Sequence, residues 1–82
     1  MSKADEMFEE LGFIKTKDTD TEIIYEYNAT ILGDRLTQTI LIAKIGKIIF
    51  SYHKESNEKM GIGLQELQAI NEKVKELGWN ED

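Results

Sequence analysis

The sequence predicts an α+β fold, with a short N-terminal helix, a three- to four-stranded antiparallel meander and a C-terminal helix, both helices lying on one face of the sheet. Three observations carry this. Apolar residues recur at intervals of three and four near both ends of the chain, they alternate with polar residues in the middle, and glycines or short polar runs separate the alternating segments.

The closing helix is the clearest element. In GLQELQAINEKVKELGW, from Gly63 to Trp79, the residues Leu64, Leu67, Ile70, Val74 and Leu77 line one helical face. Gly63 is the expected N-cap. Glu66 is placed to reach back to the free N–H of the cap, and Ile62 to staple onto Leu67. At the other end Gly78 suits the left-handed turn that stops a helix and folds Trp79 back over Val74.

The opening helix repeats this design. Ser2 caps it, Asp5 occupies the third helical position of a capping box, and Ala4, Met7, Phe8 and Leu11 form its apolar face while Glu6, Glu9 and Glu10 point to water. Gly12 ends it and brings Phe13 over Phe8. EELGF and KELGW are therefore two copies of one helix stop.

Between the helices, Phe13 to Lys17 reads as a short strand and Asp18-Thr19-Asp20-Thr21 as a polar turn. The next two strands are Glu22 to Leu32 and Arg35 to Ala43, joined at Gly33-Asp34. Pairing Leu32 with Arg35 sets Tyr27 opposite Ile40 and Tyr25 opposite Ile42. A three-residue loop, Lys44-Ile45-Gly46, then leads to a last strand in which Lys47 pairs with Ala43, Ile48 with Ile42 and Phe50 with Ile40. In this register Ile23, Tyr25, Tyr27, Ile40, Ile42, Ile48, Phe50 and Tyr52 form the floor under the helices. A one-residue slip would split that set. The opposite face then carries Ile24, Leu41, Ala43 and Ile49, more aliphatic surface than a solvent face requires. These four are the candidate surface for a protein partner or for self-association.

Length and composition narrow the functional classes. The 82 residues are read as one domain, 1–82, of a size at which folding hides only about 60 to 65 % of the chain's surface. There is no cysteine, so the core must hold the fold without disulfides or a thiolate metal site. No apolar run approaches the roughly 20 residues of a membrane span, and MSKADEMFEE lacks the apolar region of a signal peptide, so a cytoplasmic protein with no membrane partner is expected. The formal net charge of −6 disfavours binding to nucleic acid in general, although Arg35, Lys44, Lys47 and Lys54 make the stretch 35–54 locally basic.

Residues able to carry chemistry are sparse. Asp18, Asp20 and Glu22 match the opening of a calcium loop, but Ile23 stands where glycine is needed and Ala29 where a bidentate glutamate is needed, so a polar turn is expected there. His53 is the only histidine. Gly61 and Gly63 lack the third glycine and the strand context of a dinucleotide fingerprint. Pairs such as Glu9/Glu10 and Glu55/Glu58 read as solvated surface. No catalytic, metal or cofactor site is expected, and the chain is read as a non-enzyme.

The order helix, strands, helix also matches the outline of a double-stranded-RNA-binding domain. That family grips phosphate with lysines at the start of its last helix, where this chain has Gly63-Leu64-Gln65-Glu66, and Phe50 and Tyr52 are expected to face the helices instead of stacking on bases. KADEMFEELGF and LQELQAINEKVKELGW resemble a group of small uncharacterised proteins from prophages and mobile elements of Gram-positive bacteria. The resemblance implies a phage-associated accessory protein in a host bacterial cytoplasm and supplies no catalytic residue. The leading expectation is a protein–protein interaction module. The alternatives are a nucleic-acid-binding domain using 35–54, or an acidic decoy of a nucleic-acid-binding host protein presenting Glu6, Glu9, Glu10, Glu72 and Glu76.

Overall fold

Local chemistry sets the helix ends in a computed structural model that describes residues 2–79. Helix α1 (Lys3–Glu10) begins where the Asp5 N–H donates to Ser2 Oγ at 3.0 Å. It ends at Gly12, whose φ of 94° lets the Phe13 N–H reach the Phe8 carbonyl at 2.9 Å. Helix α2 (Leu64–Glu76) stops in the same way, with Gly78 at φ 76° and the Trp79 N–H on the Val74 carbonyl at 3.1 Å. Both helix stops are those read from EELGF and KELGW.

Four antiparallel strands lie between the helices: β1 (Ile14–Asp18), β2 (Glu22–Ile31), β3 (Asp34–Ala43) and β4 (Ile48–His53). They form one sheet in the order β1-β2-β3-β4, so the α+β meander is as the sequence predicts. The helices run beside each other on one face. Their core is Phe8, Phe13, Ile23, Tyr25, Ile40, Ile42, Ala69 and Ile70, with the Phe8 and Tyr25 rings stacked at 3.8 Å and Phe13 set edge-on to Phe8 at 5.8 Å.

Both long hairpins differ from the expected register. The β2–β3 turn is Leu32-Gly33, not Gly33-Asp34, with φ of 53° and 85°. Two consecutive left-handed residues give the turn twist that suits a two-residue hairpin. Pairing moves by two residues, to Ile23 opposite Ile42 and Tyr25 opposite Ile40, so the faces are preserved. The β3–β4 loop has four residues, Lys44 to Lys47, because Lys47 joins Gly46 in the left-handed region. Here pairing moves by one residue. Ile42 faces Ile49, Ile40 faces Ser51, and Ile48, Phe50 and Tyr52 turn to the face away from the helices. Phe8, Phe13 and Tyr25 already fill the layer beneath the helices, and small Ser51 lies where the expected register placed Phe50.

The stripe on α2 is only half covered. Ile70 is buried and Val74 and Leu77 pack against the core, whereas Leu64 is 70 % exposed and Leu67 44 %. Ile62, the expected staple partner of Leu67, is also exposed. The capping boxes do not close either. Glu66 accepts from Gln38 Nε2 at 2.7 Å, and Asp5 turns inward.

Asp5 joins four elements. It accepts the Tyr25 hydroxyl from β2, Lys15 Nζ from β1 at 2.9 Å and, at 3.2 Å, Lys73 Nζ from α2. Lys73, only 6 % exposed, also contacts Glu76 at 3.2 Å, and Glu76 accepts the Ala4 N–H at 2.8 Å across the helix pair. Burial opposes ionisation of Asp5, but donation from Tyr25, Lys15 and Lys73 outweighs it and holds the carboxyl far below its ordinary value of 3.8. Burial, reinforced by Asp5, pushes the Tyr25 hydroxyl well up.

Replacing Asp5 with Asn should destabilise the fold by about 2 kcal/mol at neutral pH, less than the loss of a fully buried pair because Lys15 opens to water. A depressed carboxyl contributes its full stability above its unfolded pKa and loses it as pH falls toward the folded value, so the gap between the wild type and Asp5→Asn should narrow by about 1 kcal/mol between pH 7 and pH 3 in urea titrations. Gly12→Ala meets both the left-handed φ and the Tyr27 ring, 2.7 Å from the added Cβ. We expect it to cost about 2 kcal/mol or more, while Gly61→Ala, with open space around it, stays within about 0.5 kcal/mol in the same measurement.

Candidate interaction face

The face of the sheet away from the helices is built by strand alternation. Its central row runs Ile24, Leu41, Phe50 across β2, β3 and β4; the row nearest the β3–β4 turn pairs Ala43 with Ile48, and the next row outward is Glu26, Thr39, Tyr52. Ile48 and Phe50 are each 49 % exposed. Of the four residues expected here, Ile24, Leu41 and Ala43 are present. Ile49 is not, because the longer turn reverses β4 and packs it against the core. The surface instead gains Ile48, Phe50 and Tyr52. Ser51 and His53, small or polar and alternating with these aromatics, were the available sign that β4 could be read either way.

Charged groups frame this face in pairs. Lys17 bonds Glu22, and Lys54 Nζ lies 3.2 Å from Glu26, reaching over the intervening strand. The face is therefore nearly neutral within a chain of net charge −6. Both flanking edges are guarded. Strand β1 is short, exposed along its length, carries Lys15 and Lys17 and has a register irregularity between them. At β4 the chain folds back, with the His53 N–H on the Glu58 carbonyl at 2.8 Å and the Met60 N–H on Ser51 at 3.0 Å. Strand addition is opposed on both sides, while the face is left open.

Thr37 and Thr39 lie deep in this face. Thr37 donates from its backbone and hydroxyl to Glu55, each at 2.7 Å, which lowers the Glu55 pKa through those bonds. Thr39 is buried, and its Oγ1 has no partner. On the helix side the His53 Nδ1 and Ser51 Oγ are also buried and unpaired.

The other sequence candidates are dispersed. Arg35 and Lys44 sit near opposite ends of β3, about 30 Å apart by strand rise. Lys44 is turned to the Thr19 carbonyl at 2.7 Å, and Lys54 is paired with Glu26, so the basic stretch makes no continuous patch. The expectation that Phe50 and Tyr52 face the helices is reversed. In the D-T-D-T-E segment, Asp18 holds Lys15 and Lys44 and Glu22 holds Lys17, around the turn joining β1 and β2. Glu76, counted among the outward acids, is turned to Ala4 and Lys73.

A cleft of about 430 Å³ lies beside α1, lined by Asp5, Glu9, Phe13, Lys15 and Tyr25. Asp5, Lys15 and Tyr25 in its lining belong to the Asp5 cluster, where the carboxylate keeps its charge and the phenol its proton through the neutral range. They act as an anchor between elements. Among the described residues, no helix is long and apolar enough to cross a membrane. The fold and this face define an α+β protein whose sheet leaves Ile48 and Phe50 half exposed on the side away from the helices. No protein-family model, curated protein or solved structure matches the chain.

Because the Thr39 hydroxyl is buried without a partner, Thr39→Val should stabilise the protein by about 1 kcal/mol, read from the urea midpoint at unchanged slope.

Proposed function

We propose that the protein is a non-enzymatic protein–protein interaction module that engages its partner through the open sheet face. The observation that carries this reading is the apolar row Ile24–Leu41–Phe50, flanked by Ala43 and Ile48, with half-exposed large side chains between internally paired charges. An exposed aromatic among aliphatics, rimmed by polar groups, has the composition of an interface centre. Standard interfaces cover about 800 Å² on each partner, so this row forms the middle of a contact whose rim reaches Glu22, Lys17 and Lys54. The partner that fits is a protein with a flat aliphatic or aromatic surface. A prophage-borne accessory role rests on the resemblance of the two end segments alone.

The test places a photo-cross-linking residue at Phe50 or, as a control, at Glu72 on α2, in cells. Adducts with one protein at position 50 and not at 72 are the expected result. Equal labelling at both positions, or none at 50, rejects the reading. Phe50→Lys should abolish recovery of that protein while shifting stability by less than about 1 kcal/mol, since the ring is half exposed. Because Phe50 and Tyr52 lie on the open face, single-stranded nucleic acid is titrated in parallel at low salt. Binding that Phe50→Ala removes and rising salt weakens steeply would replace the protein partner with nucleic acid.

A further inference from the structure

A second surface lies at the other end of the sheet. The β2–β3 pairing runs out to Ile31 and Asp34, but β1 follows it only to Glu26 and β4 only to Gln38. The two strands therefore continue as a bare arm. Its helix-side face carries Ala29, Ile31 and Leu36, and its tip is Leu32, 98 % exposed with φ 53°. A leucine there is disfavoured by the backbone, because the left-handed position suits glycine or asparagine. A strained position filled by a large apolar side chain at an exposed tip points to a contact that uses it.

The covering surface is present on the same chain. The first turns of α2 leave Leu64 and Leu67 of its apolar stripe uncovered, with Ile62 beside them, at the end of the helix layer that Glu66 ties to Gln38 at the root of the arm. The arm reaches about 13 Å beyond Gln38 by strand rise, against a helix diameter of about 10–12 Å, so it has the length to cross one helix. Asp34 lies on the arm's helix-side face, and α2 starts at Gly63 without a side-chain cap, which pairs a carboxylate with a positive helix end.

We infer that two copies of this chain associate head to head, each laying its Ile31-Leu32 arm across the exposed Leu64 and Leu67 turns of the other's α2. One arm and one shelf per chain make the contact self-complementary under a two-fold axis, which closes the assembly at a dimer. This surface is separate from the open face proposed above.

Sedimentation from micromolar to millimolar concentration tests the pairing, with an arm variant (Ile31→Thr, Leu32→Asn) and a shelf variant (Leu64→Gln, Leu67→Gln). Asn suits the left-handed turn, so thermal unfolding should show the arm variant folded. Wild type should dimerise, and each variant should associate at least about tenfold more weakly. An equimolar mixture of the two variants should recover part of the association, because one arm-shelf contact in the mixed dimer is intact. A wild type that stays monomeric, a dimer indifferent to both variants, or a mixture no stronger than its components overturns the inference. A dimer abolished by Phe50→Lys and untouched by the arm variant would also overturn it, and would leave the open face as the binding surface.

Discussion

The carboxylate of Asp5 is the point at which α1, β1, β2 and α2 meet. Its three donors come from Tyr25, Lys15 and Lys73, and each belongs to a different element. Apolar burial drives the helices onto the sheet without direction, and these bonds add specific partners to it. The hydrogen bonds fix how far along the sheet each helix sits. Glu76 on the Ala4 N–H adds a second tie in the same place, so the end of α2 is locked to the start of α1. At the opposite end of the helix layer, among the described residues, the tie to the sheet is the Gln38–Glu66 bond.

That asymmetry explains which sequence signals were legible. The two glycine stops depend on residues adjacent in the chain, and they are plain in EELGF and KELGW. Strand identity was equally clear from alternation. The Asp5 cluster was not, because Lys15, Tyr25 and Lys73 are distant in sequence and nothing local distinguishes their charges from solvated ones. Asp5 and Glu66 fit capping boxes by spacing, yet partners from elsewhere in the fold compete for both carboxylates and win.

The candidate face was partly legible. Ile24, Leu41 and Ala43 follow from the β2–β3 pairing, where the register moved by two residues and kept the faces. Ile49 failed because β4 moved by one. Three consecutive large residues, Ile48, Ile49 and Phe50, support either phase, and the choice rests on how much room the helices leave above Ser51. Volume in the core is a property of the assembled layers, which sequence periodicity does not report. The result places the aromatics of β4 outside and gives the sheet a more apolar open face than periodicity predicts.

The four-residue loop from Lys44 to Lys47 thereby acts as a selector between two nearly matched hairpins. With Lys47 paired to Ala43 and only three residues in the loop, Phe50 and Tyr52 would turn toward the helices and Ile49 outward, a pairing that satisfies alternation but places larger side chains against the core. The chain thus encodes its own nearest competitor, separated from the native hairpin by a single step of register. Gly46 and Lys47 in successive left-handed conformations decide between them. In landscape terms, frustration is concentrated in one turn, and drawing Lys47 out of the loop into β4 would exchange the inner and outer surfaces of that strand while leaving every other strand in place.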